Sequence, residues 1–110
     1  MSVSYFVRYV GTVEDAKQFL QHYRTAHAAI MREYPRIQSC RLHHPVDWDD
    51  PVAVNEDAVF LLAELVFDSV EDLNFSLHSE VRQKSRADFM NFPRLEGEVR
   101  HLAVSTEILF

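Results

Sequence analysis

AVFLLAELVF, Ala58 to Phe67, contains a single polar residue, Glu64. Side chains alternate between the two faces of a strand. A strand this apolar therefore has to be covered on both of its faces, as a central strand is. The rest of the chain has to provide those two covers.

Working outward, VSYFVRYV (Val3–Val10) is dense in the valine and aromatic residues that strands favour. One alternating set is Val3, Tyr5, Val7 and Tyr9, and the other holds Phe6 and Val10. RIQSCRLHH (36–44) predicts a less hydrophobic strand, and EVRHLAVSTEIL (98–109) a closing one. Between them lie helix signals. Gly11-Thr12 ends the first strand. Thr12, with Asp15 three residues on, predicts a helix start, and Pro35 stops that helix near Glu33. Ser69 with Asp72 repeats the capping pattern ahead of SVEDLNFSLHS. A further helix is expected from Ser79 to Pro93. The segment 45–57, with two prolines and five acids around Trp48, reads as a loop.

The order β-α-β-β-α-β predicts an α+β, ferredoxin-like domain spanning 1–110: a four-stranded antiparallel sheet with its helices on one face. Helices sufficient for one face leave the other apolar face for a partner. The economical partner is a second copy, giving a homodimer through the sheet face. The alternative is a monomer whose tyrosines keep the open face wet.

Composition narrows the function. The chain has 110 residues, 47% of them hydrophobic, and a formal charge of −6. No basic run is interleaved with aromatics, which argues against a nucleic-acid partner. No apolar run approaches the ~20 residues of a membrane span, and the N-terminus does not read as a signal peptide. The single cysteine, Cys40, suits a reducing, cytoplasmic setting. There is no phosphate-cradling glycine loop, nucleophile elbow or C-x-x-C. His43 and His44 alternate to opposite faces, and DWDD (47–50) lacks calcium-loop spacing, so no metal is expected.

Two residues break the apolar pattern. In QFLQHYRTAHAAIMREYP (Gln18–Pro35), a helical wheel places His27 within the stripe formed by Leu20, Tyr23, Ile30, Met31 and Tyr34. His22 points away and is expected at the surface. In the last helix Asp88 lies within a stripe of Val81, Ser85, Phe89 and Phe92. One reading is structural: a neutral core histidine bonded to a carbonyl or tyrosine, and a carboxylate capping nearby backbone. The other is functional: both helices cover the same sheet face, so the imidazole and the carboxylate meet in one pocket. Asp88 would then orient His27, which would move a proton near neutral pH, with Tyr23 donating to a substrate oxygen. Arg8, Glu64 and Arg100 either pair across neighbouring strands or grip a substrate carboxylate.

The strand SYFVRYV, F-L-x-x-Y-x-x-x-H from Phe19 to His27, Y-P-R-I, SVEDLNFSLHSEV and D-F-x-x-F from Asp88 to Phe92 together resemble the EthD family of the dimeric α/β-barrel superfamily. The resemblance implies a ferredoxin-like protomer, a dimer whose sheets form a barrel, and a pocket between sheet and helices. His27 and Asp88 match the family's recurrent His and Asp. The family commonly has Pro two residues after that His. Here Ala29 stands there, and a more regular local helix is expected. The family fixes no reaction. The combined expectation is a cofactor-free enzyme acting by proton transfer on a small, apolar, oxygenated molecule. His27 and Asp88 are its catalytic pair, and Tyr23, Phe89, Phe92 and Arg8 its substrate contacts. The alternative is a homodimeric binding or auxiliary protein. A haem-associated reading would leave Asp88 unexplained.

Overall fold

The computed structural model describes residues 1–54 and 58–110. Four strands, β1 (Val3–Val13), β2 (Ser39–His43), β3 (Val59–Phe67) and β4 (Leu95–Ser105), form one antiparallel sheet in the order β2-β3-β1-β4. Helices α1 (Ala16–His22) and α2 (Ala28–Met31) flank a π turn, Tyr23–His27. Helices α3 (Val70–Leu77) and α4 (Glu80–Asp88) follow, and a 3-10 turn, Phe89–Asn91, leads towards β4. The α+β, ferredoxin-like architecture is as the sequence predicts. Among the described residues, no helix is long and apolar enough to cross a membrane.

The element ends differ from expectation for local reasons. β1 does not stop at Gly11, because its pairing with β4 continues to Val13 opposite Leu95. The chain's two glycines, Gly11 and Gly97, face each other across that ladder. A Cβ on Gly11 would stand 2.1 Å from the Glu96 carbonyl oxygen, and its φ of +125° suits only glycine. The longer strand moves the helix start from Thr12 to Asp15, whose carboxylate accepts from the Gln18 N–H at 3.0 Å. The Ser69 cap forms as read, with the Asp72 N–H donating to its hydroxyl at 3.1 Å. Residues 55–57 of the acidic 45–57 segment lie outside the described residues. Trp48, Val52 and Val54 in its described part are exposed.

The central strand is covered from one side by the helices. Leu61, Ala63, Leu65 and Phe67 of β3 pair with Tyr9, Val7, Tyr5 and Val3 of β1 in a layer packed under Phe19, Tyr23, Met31, Tyr34 and Leu73. The tyrosines of β1 thus lie beneath the helices and do not wet the open face. That opposite face carries Phe6, Arg8 and Val10 of β1, Leu62 and Val66 of β3, and Leu102 of β4, which is exposed. Glu64 also lies on it. It is buried as a carboxylate that accepts from Ser4 at 2.7 Å and His43 at 2.9 Å, with Arg41 beside it.

Candidate active site

The helical rod from Ala16 to Met31 is irregular at the point that matters. The N–H of Ala28 reaches back to the carbonyl of Tyr23, five residues earlier, so the turn holds one extra residue. The Thr25 hydroxyl donates to the Gln21 carbonyl at 2.7 Å within the same stretch. In an uninterrupted helix His22 and His27 would diverge by about 140°. The extra residue brings them to the same side. His22, expected at the surface, is therefore drawn into the site, and the regular helix expected around Ala29 is interrupted one turn earlier.

Both imidazoles meet Asp88, at the C-terminal end of α4. Its carboxylate accepts from His27 Nδ1 at 2.7 Å and from His22 Nε2 at 3.0 and 3.1 Å. The 3-10 turn that follows α4 brings Asn91 back, and its side-chain amide donates to Asp88 at 3.0 Å. His27 and Asp88 are buried, whereas His22 is partly open.

These contacts set the charges. Burial alone would raise the Asp88 pKa, but bonds from Asn91, His27 and His22 outweigh it and hold the carboxyl below its ordinary value. Burial lowers the pKa of His27, and the opposing pull of Asp88 does not restore it. At neutral pH the pair is a carboxylate and a neutral imidazole. An ionised carboxylate only accepts, so the ring proton sits on Nδ1. The lone pair on Nε2 is left for whatever occupies the adjoining space.

That space is a half-open cavity of about 320 Å³ between the helices and the sheet. The volume falls at the small end of the range for small-molecule sites. His27 lines it, while Asp88 and His22 stand behind. Val7, Met31, Leu65, Phe89 and Val99 supply apolar walls, and Tyr5, Tyr9, Tyr23 and Tyr34 supply phenols. Tyr23 meets the His27 ring edge-on at 4.7 Å, and its hydroxyl bonds that of Tyr9. Burial raises the pKa of both phenols far above ordinary values, so both stay neutral; Tyr23 donates to Tyr9, and the Tyr9 proton is left to the cavity.

Of the residues singled out from sequence, His27, Tyr23 and Phe89 reach the cavity and Asp88 supports it from behind. Phe92 does not line the cavity. It packs against His22 at 4.5 Å and His27 at 5.1 Å, closing the side away from it. Arg8 is misplaced in the sequence reading. Its neighbours Val7 and Tyr9 line the cavity, so strand alternation sends Arg8 to the open sheet face. Sequence reasoning missed Tyr5, Tyr9 and Arg82. The alternation of Tyr5 and Tyr9 with Val3 and Val7 was the available signal for the first two. Among the described residues, no group of three or more His, Cys, Asp or Glu side chains is arranged to hold a metal.

No family model and no curated protein matches the chain. Solved structures do. An EthD family protein from Bacillus halodurans superposes with a TM-score of 0.75 at 23% identity, covering 97% of this chain and 100% of that one. A hydroxynitrile lyase from Passiflora edulis gives 0.70 at 14% identity, over 99% of this chain and 96% of the lyase. A dimeric protein of unknown function with a ferredoxin-like fold from Bacteroides fragilis gives 0.62 at 11% identity, covering 96% of each chain. The EthD resemblance read from the sequence thus extends to the fold. At these identities the likeness is one of architecture, and it selects no reaction.

Proposed function

We propose that the protein is a cofactor-free enzyme that moves a proton on a small, largely apolar, oxygenated molecule. The observation that carries this is the anchoring of His27. Its Nδ1–H is fixed 2.7 Å from a buried carboxylate, and its other nitrogen is left to the cavity. A neutral imidazole held in one tautomer is a general base near physiological pH. His27 Nε2 takes a proton from a carbon next to a carbonyl. The C–H electron pair moves to the carbonyl oxygen, where the Tyr9 phenol, itself accepting from Tyr23, donates to the developing charge. The imidazolium so formed faces Asp88. It then returns the proton to a different atom, giving an isomerisation, cyclisation or elimination according to the substrate. Asp88 and His22 position the base and touch no reacting atom.

The lyase of the same fold supports the view that this architecture suits such chemistry. The open sheet face, with Phe6, Leu62, Val66 and Leu102, suits a second copy of the chain, and the dimeric neighbour of the same fold supports that arrangement. The lone thiol of Cys40 fits a reducing, cytoplasmic setting.

The test is deuterium uptake in heavy water, followed by proton NMR, by a panel of aryl ketones, lactones and aryl 2-oxo acids. Wild type should accelerate exchange next to the carbonyl of at least one member. His27→Gln should keep affinity for that compound and lose the acceleration. Binding without accelerated exchange anywhere in the panel would favour the second reading, a protein that holds a metabolite without transforming it.

A further inference from the structure

The chain has 17 acids against 11 bases, yet among the described residues no acid lines the cavity. Besides the four phenols, its titratable lining among the described residues is His27 at one place, and Arg82, Arg86 and His101 at another. An acidic protein with a basic pocket has separated its charges, and the separation is informative.

Arg82 is held in place by neutral groups. Its guanidinium donates to the Tyr5 hydroxyl at 3.1 Å, lies 5.4 Å from the centre of the Tyr5 ring, and also bonds Tyr34. The Tyr34 hydroxyl is fixed in turn. Ser85 donates to the Arg82 carbonyl at 3.0 Å, so its oxygen accepts the Tyr34 proton at 2.6 Å. A guanidinium has five N–H donors, and two phenol oxygens occupy only part of that fork. Tyr5, which accepts from Arg82, still has its own proton to give. His101 stacks on Tyr5 at 5.7 Å. Its pKa is lowered by burial and by Arg82 and Arg86, a sign of the positive surroundings.

We infer that Arg82 and the Tyr5 hydroxyl form a carboxylate-binding subsite, and that the substrate is an aryl or alkyl acid anchored there with its reacting carbon turned towards His27. The inference rests on the proposed proton-transfer role of His27 and adds the substrate class. It also moves the carboxylate grip from Arg8, which faces the other side of the sheet, to α4. The apolar body of the acid would lie against Val7, Met31, Leu65 and Phe89. Binding energy from the anchored anion would then fix the distant carbon at the base.

The experiment compares 2-naphthoate with 2-naphthamide, isosteres that differ in charge, by calorimetric titration of the full chain at neutral pH. Wild type should prefer the carboxylate by about ten- to a hundredfold, as one charge-assisted hydrogen bond allows. Arg82→Gln should abolish the preference by weakening the carboxylate far more than the amide, Tyr5→Phe should reduce it, and His27→Gln should retain it. Equal affinity in wild type, a preference that survives Arg82→Gln, or no binding of either probe at millimolar concentration would overturn the subsite. If Arg82→Gln does not fold by circular dichroism, Arg82→Lys and Tyr5→Phe decide. Lysine keeps the charge without the fork, so an unchanged preference in both variants also overturns the subsite. Retained preference with no deuterium exchange would remove the catalytic reading alone. Exchange without preference would remove the subsite alone.

Discussion

Asp88→Asn keeps the shape of the side chain and removes its charge, which makes it the sharpest test of the site. One carboxylate oxygen accepts from both histidines, and the other from His22 and Asn91. An asparagine has only one acceptor oxygen. If that oxygen faces His27, the new amide confronts the amide of Asn91, donor to donor. If it faces Asn91, the new amide confronts His27 Nδ1–H and drives the imidazole to its other tautomer. Either way one charge-assisted bond is lost, worth about 1.5–3 kcal/mol, and the surviving bonds drop to neutral strength. The expected loss is roughly 2–4 kcal/mol in urea unfolding at neutral pH. Nitrogen-15 imidazole spectra should show two further changes. The His27 pKa should fall still lower, because Asp88 is what opposes the effect of burial. The Nδ1–H tautomer should also lose its dominance. A destabilisation below about 0.5 kcal/mol with the His27 titration unmoved would refute the view that this carboxylate anchors the imidazole.

Acid stability should report the same group from another direction. His27 and His101 are both pushed towards the neutral form in the fold, so the unfolded chain binds more protons. Stability should therefore fall as pH drops below about 6.5, until the folded pKa values are passed. His27→Gln should remove one of those two protons from the limb, and an unchanged slope would contradict the burial argument. The depressed carboxyl of Asp88 adds stability that is complete above about 3.9 and lost as pH falls through its folded pKa. Tyr23→Phe, which breaks the hydroxyl pair with Tyr9, should cost about 1 kcal/mol and leave the His27 tautomer intact by NMR. Leu102→Asp on the open sheet face should convert a dimer to monomer in sedimentation velocity, and a monomeric wild type would end that proposal. Gly11→Ala should lose at least about 2 kcal/mol in thermal unfolding, since both φ and the Glu96 carbonyl oppose a Cβ.

The sequence by itself determined the architecture. A nearly uninterrupted apolar strand at Ala58–Phe67 requires two covers, and prolines, capping serines and alternating valines and aromatics place the other elements around it. It also exposed His27 and Asp88, because an ionisable group on an apolar stripe stands out at a helical period. Only the tertiary structure decided which groups join them. A wheel assumes a constant turn, and one inserted residue at Tyr23–His27 reverses the placement of His22. Strand alternation says that Tyr5 and Arg8 lie on opposite faces, but not which face the helices cover, so Arg8 stood in the pocket until the sheet was packed. Arg82 lies outside the stripe of Val81, Ser85, Phe89 and Phe92 and was missed in the sequence. It becomes part of the cavity because β1 brings Tyr5 beneath it from 77 positions away in the chain. Local periodicity carries no information about such a meeting.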